Sequence, residues 1–238
     1  MALRAVFFDL GNTLIDPVPD LAAKIAALQD VSDAYDLGVT GNELLAKWSA
    51  ALGPVFDGQP DKWIPIQVHL NALFVDELRA VGRRATAQDI AWFEEVYLDH
   101  HLKADLLFPD VRPGLKRLAE LGLHVGVLSD VDEMWAKYVL RAKHIDGFFA
   151  SVTTSEAVGV GKPNPRIFHE ALAKARVEPS EAAMVGDSAA RDIDGAKAVG
   201  MIAIQMDRPG SPIPAADHRV RTVEELVPLA ARLAGKRR

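Results

Sequence analysis

The chain has 238 residues, 49% hydrophobic and 25% charged, which suits one large domain or a domain with a substantial insertion and excludes collagen-like and disordered compositions. Lys and Arg number 27 against 33 Asp and Glu, and the resulting net charge of -6 argues against a nucleic-acid ligand. With no cysteine there are no disulfides, thiolate metal sites or cysteine nucleophiles, and no apolar run approaches the roughly 18 residues of a membrane span; a cytoplasmic protein with no membrane partner is expected.

In chain order, the first β-rich apolar run covers residues 4 to 8 and ends on Asp9. Residues 16 to 105 hold no convincing strand. Ile66, Leu70, Leu73, Phe74, Leu78 and Val81 recur at helical spacing, and Pro54, Gly58, Pro60 and Pro65 punctuate the stretch, so it reads as an inserted helical domain. Trp48, Trp63, Trp92 and Trp135 are expected in core or interdomain packing, and the pair His100-His101 as a solvated helix end. Beyond the insertion the rhythm is regular. Helices are expected at 113 to 121, 133 to 143, 165 to 175, 191 to 199 and 223 to 234, with Gly200 stopping the fourth. Strands are expected at 124 to 128, 150 to 154, 182 to 185 and 201 to 206, with a weaker one at 218 to 220. The basic end, Lys236-Arg237-Arg238, reads as a frayed tail. Strands alternating with helices predict an α/β fold with a parallel sheet, its core built from residues 1–15 and 106–238 around a helical insertion of 16–105.

In an open parallel sheet, ligands bind beyond the carboxyl ends of the strands, so the polar residues that follow each apolar run are the candidates. The first run delivers Asp9, the second Ser129 and Asp130, the fourth Gly186-Asp187-Ser188. A glycine-containing loop at 159 to 165 adds Lys162 just before a helix that Asn164 could cap, with Pro165 at its first position. Singly, an aspartate after a strand is commonly a turn residue and a loop lysine is commonly solvated. Together, carboxylates, a hydroxyl and a lysine at one edge suit a hard cation and a phosphate dianion. Asp192, five residues after Asp187, falls about one turn into the next helix and near the same ion.

The stretches Phe8-Asp9-Leu10-Gly11-Asn12-Thr13-Leu14, Leu128-Ser129-Asp130, Gly161-Lys162-Pro163 and Val185-Gly186-Asp187-Ser188 through Asp192 resemble, in order and spacing, the four motifs of the haloacid dehalogenase-like (HAD) hydrolase superfamily. The resemblance spans the chain and points to the helical-cap subgroup that contains phosphoglycolate phosphatase-like enzymes and 2-haloacid dehalogenases. It implies a Rossmann-like parallel sheet flanked by helices, with an inserted α-helical cap. It further implies a magnesium-dependent phosphatase in which Asp9 is the nucleophile and forms an aspartyl intermediate. On the same footing, Ser129 and Asp130 lie on the substrate side and Lys162 neutralises nucleophile and phosphate. Asp9, the Gly11 carbonyl and Asp187 would bind magnesium, with Asp192 supporting or ligating it. The implied ligand is a small phosphorylated metabolite; neither monomer nor homodimer is favoured.

One departure matters. The family's phosphatases usually carry a second aspartate where this chain has Gly11, and a glycine has no side chain to protonate a leaving oxygen. Asn12 follows, a residue that tolerates a left-handed backbone, and reads as a geometric substitute for the usual glycine. Good leaving groups such as acyl or aryl phosphates are therefore expected to suffer least, unless Asp130, Asp132 or a cap histidine supplies the proton. Three alternatives stay open. A 2-haloacid dehalogenase also lacks that second aspartate, although it is expected to lose the Gly-Asp of the fourth motif, which this chain keeps. A non-catalytic HAD-like binding protein has no need of Asp9, Lys162 and Asp187 together. Phosphonate cleavage would want an activated cap lysine, and nothing marks Lys24, Lys47 or Lys62 as one.

Overall fold

The computed structural model describes residues 2–57, 61–208 and 210–236; the expectations at Gly58, Pro60, Arg237 and Arg238 lie outside them. Strand β1 (Ala5–Phe8) is buried along its whole length. Its sequence does not alternate because both faces are covered: Ala5 and Phe7 belong to one apolar cluster, Val6 and Phe8 to another on the opposite face. The chain then leaves the sheet for α1 (Pro17–Tyr35), α2 (Gly41–Asp57), α3 (Ile66–Ala80) and α4 (Ala87–Lys103). Asp16 caps α1 by accepting from the Val18 amide, and Thr86 with Asp89 forms a reciprocal capping box on α4. These helices enclose a separate core in which Phe74 and Phe93 stack with centroids 4.8 Å apart. Ile15 bridges Leu107, so the insertion leaves and rejoins the sheet through two adjacent stems.

The rest of the chain supplies α5 (Val111–Ala119), β2 (His124–Ser129), α6 (Glu133–Ala142), β3 (Ser151–Thr154), α7 (Ser155–Val158), α8 (Pro165–Ala175), β4 (Ala182–Gly186), α9 (Gly195–Ala198), β5 (Ile202–Met206), β6 (His218–Val220) and α10 (Val223–Leu233). Among the described residues, six strands run parallel in the order β3-β2-β1-β4-β5-β6. The fold is thus the α/β sheet with helical crossovers that the alternating pattern predicts. One expected helix is corrected. Residues 189–194 do not belong to a single α-helix running to 199: the amides of both Asp192 and Ile193 donate to the Ser188 carbonyl, at 3.0 and 3.2 Å, which makes a wide i→i+5 turn before α9. The extra residue in that turn directs Asp192 inward.

The chain winds outward from β1 in both directions, through β2 on one side and β4 on the other, which leaves a crevice at the carboxyl edge between them. Arg208 braces that edge. Its guanidinium lies 3.8 Å over the Phe108 ring, donates to the Thr13 carbonyl at 2.7 Å and pairs with Asp110 at 2.7 Å. Among the described residues no helix is long and apolar enough to cross a membrane.

Candidate active site

Asp9 continues β1 by donating its amide to the Val185 carbonyl at 2.9 Å, which sets its side chain at the crevice. The Ser129 hydroxyl, on the last residue of β2, donates to Asp9 Oδ1 at 2.8 Å. Lys162 Nζ donates to the same oxygen at 2.8 Å and to Asp192 Oδ1 at 2.5 Å, so one buried ammonium joins residues from three distant parts of the chain. Asp130 fixes that lysine from behind: its Oδ1 accepts from the Lys162 amide at 2.8 Å and from the Ser155 hydroxyl at 2.5 Å. It therefore reaches the centre through the lysine loop.

Both oxygens of Asp192 have partners, since its Oδ2 accepts from the Ser188 amide at 2.9 Å. It lies flat against the end of β4: a Cβ added at Gly186 would sit 2.2 Å from Asp192 Oδ2, so only glycine admits the carboxylate there. Asp187 Oδ2 accepts from Asn12 Nδ2 at 3.1 Å. Asn12 has the left-handed backbone expected of it, with φ of 53°, but its amide also carries this second task, which no local pattern announced.

The electrostatics follow from crowding. Burial alone would depress the Lys162 ammonium, but the carboxylates of Asp192, Asp9 and Asp130 outweigh it and hold the group above its ordinary value. Burial raises Asp192 against the pull of Lys162, with the charge of Asp9 adding to the rise. Asp187 is raised as well, by burial and then by Asp9, while the Asn12 hydrogen bond works the other way. Ligand oxygens of Asp9, Asp187 and Asp192 all lie within 4.8 Å of one another. Such a group of hard oxygen donors, two of them held above the ordinary carboxylate value by burial and by the charge of Asp9, fits a magnesium ion.

No side chain stands where a second motif-one aspartate would, although a Cβ at Gly11 would meet nothing within 4 Å. The proton donors suggested by the sequence are occupied elsewhere. Asp132 accepts from the amides of Ile66 and Gln67, each at 2.8 Å, at the start of α3. His101 is not a solvated helix end. It is 1% exposed, because the last turn of α4 packs on α1 and near Trp135, with Nδ1 2.7 Å from the Tyr97 carbonyl and Nε2 3.4 Å from Asp20 Oδ1. His100 pairs with Asp30 at 2.8 Å. The tryptophans pack as expected: Trp48 is buried with its Nε1 on Glu77, and Trp92 meets Tyr35 edge-on. Trp63, between α2 and α3, donates its amide to the Gly159 carbonyl at 2.9 Å and packs on Gly161, beside the lysine.

The family model for haloacid dehalogenase-like hydrolases matches residues 3–200. A glyceraldehyde 3-phosphate phosphatase of Methanopyrus kandleri is 32% identical over 211 residues, which cover 87% of this chain and 84% of that protein. A phosphoglycolate phosphatase of Vibrio vulnificus is 30% identical over 198 residues, 83% of this chain and 81% of that protein. Among solved structures, the 2-haloacid dehalogenase of Pseudomonas syringae superposes with a TM-score of 0.76 at 29% identity, covering 97% of this chain and 99% of that one. With matching sequence, matching fold and the motif residues gathered at the carboxyl edge of the sheet, this chain belongs to the haloacid dehalogenase-like hydrolases.

Proposed function

We propose that the protein is a magnesium-dependent phosphatase that takes phosphate from a small phosphorylated metabolite through a phosphoryl group carried on Asp9. The observation that carries this reading is the convergence of Asp9, Asp187 and Asp192 within 4.8 Å, with Lys162 bonded to two of them. Relatives named as phosphatases support it. In this reading Asp9, Asp187 and the Gly11 carbonyl hold the magnesium, whose charge masks the repulsion between the nucleophile and a phosphate dianion. Asp192, with both oxygens engaged, supports the centre by fixing Lys162. Ser129 turns its hydroxyl to a phosphoryl oxygen, Lys162 neutralises the adjacent charge, and Asp130 keeps Lys162 in place. A carboxylate oxygen of Asp9 attacks phosphorus, the bond from phosphorus to the leaving oxygen breaks, and its electron pair departs with that oxygen. Water then attacks phosphorus, the bond from phosphorus to the Asp9 oxygen breaks with its electron pair leaving on Asp9 as carboxylate, and the proton lost by the water passes to the departed oxygen or to solvent. Residues 16–105 act as a cap on the core of 1–15 and 106–238 and exclude bulk water during the reaction.

Positioned acid–base catalysis contributes about 10²- to 10⁴-fold, and Gly11 forgoes it at this position. Acyl and aryl phosphates, whose leaving groups depart with little protonation, should therefore be turned over best. Attack of Asp9 on a carbon–halogen bond would need no cation and would leave the carboxylate group without a task. The test is phosphate release from acetyl phosphate, p-nitrophenyl phosphate and an alkyl phosphate, with and without magnesium, beside halide release from 2-haloacids. Asp9→Asn should abolish turnover. Gly11→Asp, which has open space to occupy, should raise alkyl phosphate turnover by about 10²-fold more than that of acetyl phosphate. Halide release alone, or Asp9→Asn activity equal to wild type, would overturn the reading; magnesium binding without turnover of any substrate would favour a binding protein.

A further inference from the structure

The geometry points to an aryl phosphate with an apolar body as the substrate, its ring seated in the cavity between the helical insertion and the end of β1; this deepens, and rests on, the phosphatase reading above. The cavity measures about 430 Å³ and is bounded by Leu10 and Gly11 after β1, by Val131 and Asp132 after β2, and by residues of α1, α2, α3, α4 and α6. Gly11 and Val131 each stand two residues beyond Asp9 and Ser129, so the cavity opens beside the ends of the two strands that carry those residues, and a leaving group directed from the phosphoryl toward Gly11 would enter it.

Its walls are chiefly apolar, with Leu28, Leu45, Trp48, Leu52, Leu70 and Trp135 among them. The charged groups that reach it already have partners. Lys24 Nζ bonds Asp20 Oδ2 at 2.6 Å, His101 is held between the Tyr97 carbonyl and Asp20, and both oxygens of Asp132 serve the first amides of α3. The Gln67 amide donates to Asn71 at 2.9 Å. A polyhydroxylated body would surrender its water for a wall with few polar groups, most of them already partnered, whereas an apolar body gains burial. Trp48, Trp135 and Tyr97 are among the lining residues, and aromatic side chains pack favourably on a planar ring. A separate observation selects the bond to be cleaved: Gly11 has no proton to give, and a phenolate leaves without one more readily than an alkoxide. Cavity and reaction centre thus select the same class independently.

The test is a series of para-alkylphenyl phosphates, from unsubstituted through methyl and ethyl to propyl, with acetyl phosphate and glycerol phosphate alongside in magnesium. The alkyl group barely changes the acidity of the phenol, so the series isolates burial from leaving-group strength. The value of kcat/KM should rise with each carbon, toward the about fourfold per methylene that full burial gives, and glycerol phosphate should trail the whole series. Leu45→Gln should lower the ratio of the propyl to the unsubstituted ester, and Ser49→Leu, on the exposed side of α2, should raise it; a general loss of activity leaves this ratio alone. A flat or falling series beside active acetyl phosphate, or glycerol phosphate as the best ester, overturns the assignment and spares the phosphatase reading. Absence of turnover of every phosphate, acetyl phosphate included, overturns both.

Discussion

Gly186 and Asp192 show how narrow the tolerances around Lys162 are. A methyl group at residue 186 would stand 2.2 Å from Asp192 Oδ2 and 2.6 Å from its Cβ, so Gly186→Ala must push the carboxylate off the end of β4 and away from the lysine. Misplacement by about an ångström at a reacting centre costs about 10²-fold, and we expect Gly186→Ala to lose at least that in kcat while keeping its circular dichroism. Unchanged turnover would mean that the Lys162–Asp192 contact is dispensable. That Asp9, Ser129, Lys162 and Asp187 come together was legible in the sequence, because each follows an apolar run closely or sits in a glycine-containing loop, and the geometry of a parallel sheet brings such positions to one edge. The bond from Asn12 to Asp187 was not, since it joins residues 175 apart and leaves no trace in either neighbourhood. The burial of His101 escaped for the same reason: its cover comes from α1 and Trp135, and a histidine pair in the last turn of a helix otherwise reads as solvated.

Among the elements, α3 begins in an unusual way. Pro65 precedes its first residue and offers no side-chain cap, so the Ile66 and Gln67 amides take theirs from Asp132, just ahead of α6 on the sheet side of the crevice. Burial raises the Asp132 carboxyl, while these two amide bonds act against the rise. Removal of a cap typically costs about 1 kcal/mol, so Asp132→Ala should speed hydrogen exchange at the Ile66 and Gln67 amides about fivefold and loosen the insertion over the crevice. Unaltered exchange would show that α3 is held by its apolar face alone. The elements themselves were largely legible, with α8 and β6 found at the expected limits and most others shifted by one or two residues. The wide turn at 189–194 was not, because its Asp192 meets Lys162, a tertiary partner that helical periodicity does not record.

Across the molecule, the helical insertion is tied together where Asp20 of α1 meets Lys24 on the same helix and His101 of α4. Burial would raise the Asp20 carboxyl, but His101 and Lys24 outweigh it and hold the group below its ordinary value of 3.8. A depressed folded value means that the stabilisation is fully present above pH 3.8 and is lost as pH falls through the lower folded value. The gap in Tm between wild type and Asp20→Asn should accordingly close as the protein is acidified below that point; a gap that persists or widens would contradict the assignment. The helical character of the stretch between residues 16 and 105 was readable from its missing strands, but the apolar cavity beside it was not, since its walls come from five helices and two strand ends. All of the proposed chemistry passes through one covalent bond. After brief mixing with magnesium and acetyl phosphate and an acid quench, peptide mass analysis should find one added phosphoryl group on the fragment that contains Asp9, and none in Asp9→Asn. Steady phosphate release with that fragment unmodified at every time point, and with Asp9→Asn as active as wild type, would show that Asp9 is not the nucleophile.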